Sequence, residues 1–184
     1  MQGDGFKDIV DIPPSLGMKL LNKINFSPEG DSAMRIYIDA DGCPVVDTAV
    51  SIARGKGVPV TIVKNHSHFI DSDYATVITV DNSRDSADYY IANHSTRGDV
   101  VITQDNGLAA MCLAKGSHVI NQNGLNITGE NIDGMLNSRH FHRELRQRGV
   151  YISKPVKRSK QHDSGFREAF ERLLSELSSK LREV

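Results

Sequence analysis

Tryptophan is absent from this chain of 184 residues, and all aromatic residues together make up only 6% of it. Proteins that grip single strands by stacking base after base on aromatic platforms need more rings than this. Cysteine occurs twice, at Cys43 and Cys112, with no CxxC spacing at either position. That excludes a zinc site built on thiolates and a disulfide framework, and it fits a reducing, cytosolic setting. No apolar run approaches the ~20 residues that span a bilayer. The first residues lack the basic start and apolar core of a secretory signal. With a formal net charge of -1, a uniformly basic nucleic-acid coat is excluded, although a local basic patch is not.

What is present is an alternation of strands and helices. Residues 1–33, with Pro13, Pro14, Pro28 and several glycines, read as an extension or as sequence upstream of a natural start at Met34. From Arg35 the pattern predicts strands at 35–39, 58–64, 76–80, 99–103 and 117–120. Helices are predicted at 45–56, 85–94 and 107–115. Helices of this length between strands indicate βαβ units around a mostly parallel sheet. Residues 121–127 read as a polar loop and 130–136 as a short helix with Thr128 as a candidate cap. Residues 139–148 read as a basic helix ending at Gly149, and 154–160 as a charged linker. Phe166, Phe170, Leu173, Leu174, Leu177 and Leu181 follow helical spacing, so a last amphipathic helix is expected to dock on the domain. A contact between two copies of the chain is the competing use of that stripe. The expected organisation is an extension over 1–33, an α/β domain over 34–150, and a basic linker with a docked helix over 151–184.

Aspartates fall at the chemically telling places. Asp39 and Asp41 close the first strand, Asp105 follows the fourth, and Asp85 and Asp88 open the helix between them. Ligands of open α/β sheets bind outside the carboxyl ends of the strands, where strand order reverses. At ~4 Å and an effective dielectric of ~20, each like-charged pair costs about 4 kcal/mol. Convergence of these acids therefore calls for a cation or for raised pKa values. Oxygen-only ligands favour Mg²⁺ or Mn²⁺ over zinc. Competing local roles exist: Asp41, Asp85 and Asp105 each stand where a helix N-cap would. Thr103, two residues before Asp105, is placed to position a phosphate, a water or Asp105 itself. Asn65 is placed to line the crevice.

Three runs carry a resemblance: Ile38-Asp39-Ala40-Asp41-Gly42-Cys43-Pro44-Val45, Asp85-Ser86-Ala87-Asp88, and Val101-Ile102-Thr103-Gln104-Asp105-Asn106-Gly107-Leu108-Ala109. Together with Gly149 and residues 154–170, they resemble the YaiI/YqxD family of uncharacterised bacterial proteins, over about residues 35–170. That family is regarded as PIN-like, related in fold to metal-dependent ribonucleases. The resemblance implies a three-layer α/β/α fold and an Mg²⁺ or Mn²⁺ site made by Asp39, Asp88 and Asp105, with Asp41 and Asp85 nearby. The family itself has no assigned substrate; the leading expectation is a metal-dependent nuclease or phosphoesterase acting on RNA rather than DNA, with non-catalytic binding of nucleic acid or nucleotide as the alternative. The Cys-Pro pair after the first acids is not a general PIN feature, which leaves a different reaction or a purely binding role open.

Nucleic-acid binding needs positive contacts to phosphate. Nearly half of the Lys and Arg fall between Arg139 and Arg172, and Arg143, Lys157 and Arg158 are the candidate substrate contacts. A plain solvated face is the competing reading. His66 and His68 form an H-x-H pair with no acid close in sequence, so they read as loop histidines. Cys43 lacks a local basic partner to activate it, and Cys112 reads as core.

Overall fold

The computed structural model describes residues 34–66, 69–81, 85–138 and 159–182, all within one compact unit, Ala33–Val184. Six strands form one sheet: β1 (Ile36–Asp39), β2 (Val60–Asn65), β3 (Thr76–Val80), β4 (Val100–Ile102), β5 (His118–Ile120) and β6 (Asn126–Ile127). Their order is β3-β2-β1-β4-β5-β6. The first five strands are parallel, and β6 runs antiparallel to β5. Four helices have both ends described: α1 (Val46–Lys56), α2 (Ser86–His94), α3 (Asn106–Ala114) and α4 (Lys160–Arg182). Residues 132–138 are also helical.

The alternation of side chains along β1 explains the layering. Ile36 and Ile38 point to one face, where they join Val46, Ala49 and Ala53 of α1 and Phe166, Phe170 and Leu174 of α4. Tyr37 points to the other, with Ala87 and Ile91 of α2, Leu108 and Cys112 of α3, and Ile132. A parallel strand covered on both faces must be apolar on both, and Ile36, Tyr37 and Ile38 are all buried. The result is a three-layer α/β/α fold with a mostly parallel sheet. The last helix belongs to this core: Phe166 and Phe170 are fully buried, their rings 5.4 Å apart. Gly124 lets the loop after β5 lie against that helix. It has φ +82°, and a Cβ there would come within 2.8 Å of the Gly165 carbonyl oxygen.

Several boundaries and roles differ from the sequence reading. The loop expected over 121–127 contains β6, an edge strand held through Val119 and Ile120 of β5. The charged linker expected through Lys160 gives way to α4 at that residue. Asp41 does not cap the first helix, whose N-cap position is Val45 with no side-chain capping bond. Thr128 does open the turn before residues 132–138, its carbonyl accepting from the Asn131 and Ile132 amides, but the side-chain bond comes from Asn131, whose Oδ1 accepts from the Thr128 amide at 3.0 Å. Cys112 is buried in the core as expected, and neither cysteine is in a disulfide.

Candidate active site

Chain order reverses at β1, which lies between β2 and β4, and α1 and α2 leave on opposite faces of the sheet. A crevice follows at the carboxyl ends of these strands. A pocket of about 450 Å³ opens there, lined by Asp39, Asp41, Gly42, Asn65, Val80, Asp81, Asp85, Ser86, Ala87, Asp88, Gln104 and Asp105. All five aspartates read from the sequence line it, as does Asn65. Among the described residues, none that lines it is Lys, Arg or His.

Each acid is held differently. Asp39 ends β1 on the same face as Tyr37. Its carboxylate accepts from the hydroxyl of Thr103 at 2.7 Å and from the Asp41 amide. Thr103, itself buried, accepts in turn from the Asp105 amide at 3.0 Å. Asp105 is the N-cap of α3: Oδ1 accepts from Gly107 N at 2.6 Å and from Leu108 N at 3.3 Å. A Cβ on Gly107 would sit 2.9 Å from that same oxygen, so the glycine makes room for the cap. Asp41 accepts at both oxygens from Asn65, from its amide at 3.1 Å and its side chain at 2.9 Å. Gln104 Nε2 donates to the Gly42 carbonyl at 2.9 Å. Asp85 occupies the N-cap position of α2 with φ 66°, but no side-chain capping bond forms. Asp88 lies in the first turn of the same helix.

The electrostatics follow from this crowding. Burial, and then the charges of Asp39, Asp105, Asp85 and Asp41, push the Asp88 carboxyl up to about 6. Asp39 is also raised, first by burial and then by Asp41 and Asp105, while its bond from Thr103 pulls the other way. Both groups hold protons more tightly than free carboxylates do. The pocket is therefore acidic and partly desolvated, and no basic residue lines it among the described residues.

Two lining residues escaped the sequence reading. Asp81 follows β3 directly, so the rule that singled out Asp39 and Asp105, an acid at the carboxyl end of a strand, would have found it. Gln104 carried no chemical signal of its own, and its role is a contact 62 residues away along the chain. Thr103 is not among the lining residues; of the uses expected for it, positioning Asp105 is the one its bonds serve, together with holding Asp39. Arg143, Lys157, Arg158, His68 and the basic helix at 139–148 lie outside the described residues. His66 sits in an exposed turn after β2. Among the described residues, no three His, Cys, Asp or Glu side chains are gathered closely enough to hold a metal ion. No helix among them is long and apolar enough to cross a membrane.

Residues 37–176 match the family described as uncharacterised, YaiI/YqxD. The chain belongs to that family. A UPF0178 protein of Natranaerobius thermophilus is 44% identical over 146 residues, covering 79% of this chain and 99% of that protein. A UPF0178 protein of Alkaliphilus oremlandii is 46% identical, covering 81% of this chain and 96% of its own. A more distant UPF0178 protein, from Enterococcus faecalis, is 37% identical over 139 residues. No solved structure matches.

Proposed function

We propose that this member of the YaiI/YqxD family is a metal-dependent phosphodiesterase of PIN-like type that cleaves RNA. The observation that carries this reading is the gathering of Asp39, Asp41, Asp81, Asp85, Asp88 and Asp105 around one pocket, with no basic lining residue among the described residues. A phosphate entering such a pocket alone would be repelled by its carboxylates. Entry of an anionic substrate requires a cation to enter with it.

The donor chemistry fits a hard divalent ion, because the acids offer oxygen only. Asp39, Asp88 and Asp105 would hold it, and their side chains would have to draw closer than they stand now. When bound, such an ion lowers the pKa of a coordinated water and stabilises charge on the phosphate oxygens. The chain's own groups do the rest. Thr103 orients the Asp39 carboxylate, the α3 cap fixes Asp105, and Asp88 holds a proton until the pH passes about 6. Arg143, Lys157 and Arg158 would supply phosphate contacts beyond the pocket.

A second reading, non-catalytic binding of nucleic acid or nucleotide, is favoured by the internal bonds that already occupy Asp39, Asp41 and Asp105. Cleavage of labelled single-stranded RNA separates the two. The first reading expects turnover with Mn²⁺, none with chelator, and a loss of about a hundredfold or more in Asp39→Asn and Asp105→Asn. Asn remains a good N-cap at position 105, so the second variant keeps its fold. Salt-sensitive RNA binding without turnover would leave only the second reading.

A further inference from the structure

Six acids line the pocket, but they are not equivalent. Asp41 stands apart because Asn65 meets its carboxylate with two donors, backbone to one oxygen and side chain to the other, at 3.1 and 2.9 Å. The neighbouring Gly42 carbonyl is held from the opposite side by Gln104 at 2.9 Å, and the Cys43 amide donates back to Ala40 at 3.2 Å. The turn after β1 is thereby tied to the end of β2 through Asn65 and to the end of β4 through Gln104. Gly42 has φ +72°, so the turn keeps this shape without strain.

We propose that Asp41 is a positioning residue, the pin that fixes the turn after β1 against Asn65, and that it does not ligate the cation of the pocket. The inference rests on the phosphodiesterase reading for the existence of that cation. Drawing the Asp41 carboxylate toward a shared ion would break two bonds that order the mouth. Asparagine can replace it as a pin. Its oxygen accepts from the Asn65 amide, and the Asn65 side chain can turn over to accept from the new NH₂ group.

The test uses the full chain, with Mn²⁺ titrated calorimetrically and melting followed in chelator. Asp41→Asn is expected to keep the wild-type Mn²⁺ affinity, whereas Asp39→Asn loses about tenfold or more. In chelator, Asp41→Ala and Asn65→Ala each lower the melting point, and the double variant melts no lower than the weaker single one. An Mn²⁺ affinity in Asp41→Asn reduced as far as in Asp39→Asn would overturn the assignment. So would losses of melting temperature that simply add in the double variant. If the wild-type chain takes up no Mn²⁺, the phosphodiesterase reading falls, and the melting cycle alone decides whether Asp41 is a pin.

Discussion

The hydroxyl of Thr103 gives its single proton to Asp39 Oδ2 at 2.7 Å. It has no choice of direction, because the Asp105 amide has only a proton to offer and takes the hydroxyl's acceptor side at 3.0 Å. One buried oxygen thus sets the orientation of one acid and the backbone entry to another. β1 and β4 are neighbours in the sheet, so this bond closes the strand pair at the pocket floor.

Replacing Thr103 by Val keeps its shape and removes both bonds. The expected cost is about 1–3 kcal/mol in urea unfolding, since Asp39 and the Asp105 amide each lose a partner in a part-buried place. Thr103→Ser retains the hydroxyl and should stay near wild type. Equal midpoints for wild type and Thr103→Val would show that water replaces the hydroxyl at no cost.

The pH dependence of stability carries a definite sign. The Asp88 carboxyl is raised to about 6 in the folded chain, above the ~3.9 of an unfolded aspartate. The folded state therefore binds the proton more tightly. Its contribution is fully present below about pH 4 and is lost as pH rises through about 6. The metal-free protein should gain from Asp88→Asn at pH 8 and gain nothing from it near pH 4. Melting temperatures in chelator at both pH values check this, and a benefit that is the same at both would refute the electrostatic account. Protons compete with a cation for the same oxygens, so Mn²⁺ affinity should fall as pH drops below about 6.

The helical stripe of α4 offers a contrast within one element. Phe170 is fully buried, while Leu181 is 47% exposed. Phe170→Ala should cost about 3–5 kcal/mol, and Leu181→Ala should fall within about 0.5 kcal/mol of wild type. Chemical denaturation of the two variants decides it. A Leu181 variant as damaging as the Phe170 one would mean that the outer end of the stripe is covered in solution by something further.

The framework was legible because its signals are local and repeated. β3 stands at 76–80 as read, and β1, β2 and β4 shift by no more than two residues at either end, because β-branched runs between glycines and polar turns leave little freedom. The strand β6 was not legible: Asn126 and Ile127 form no run, and they become a strand only by pairing with β5. The site divided in the same way. Acids at strand ends marked the pocket, since the sheet's geometry places them there. What each acid does was hidden, because it depends on partners far along the chain. Asn65 lies 24 residues from Asp41, and Thr103 lies 64 from Asp39. Asp85 shows the converse, a position suited to capping by spacing yet held with φ 66° and no capping bond.

The placement of β1 in the middle of the sheet has a consequence for how the chain comes apart. Asp39 arrives early in the sequence, while Asp85, Asp88 and Asp105 arrive on segments that must dock beside it later. In the unfolded chain these charges are distant and hydrated. Their mutual repulsion is incurred only when α2 and β4 stand against β1. An ion seated across that seam would act as a rivet, offsetting a repulsion that only the assembled fold creates.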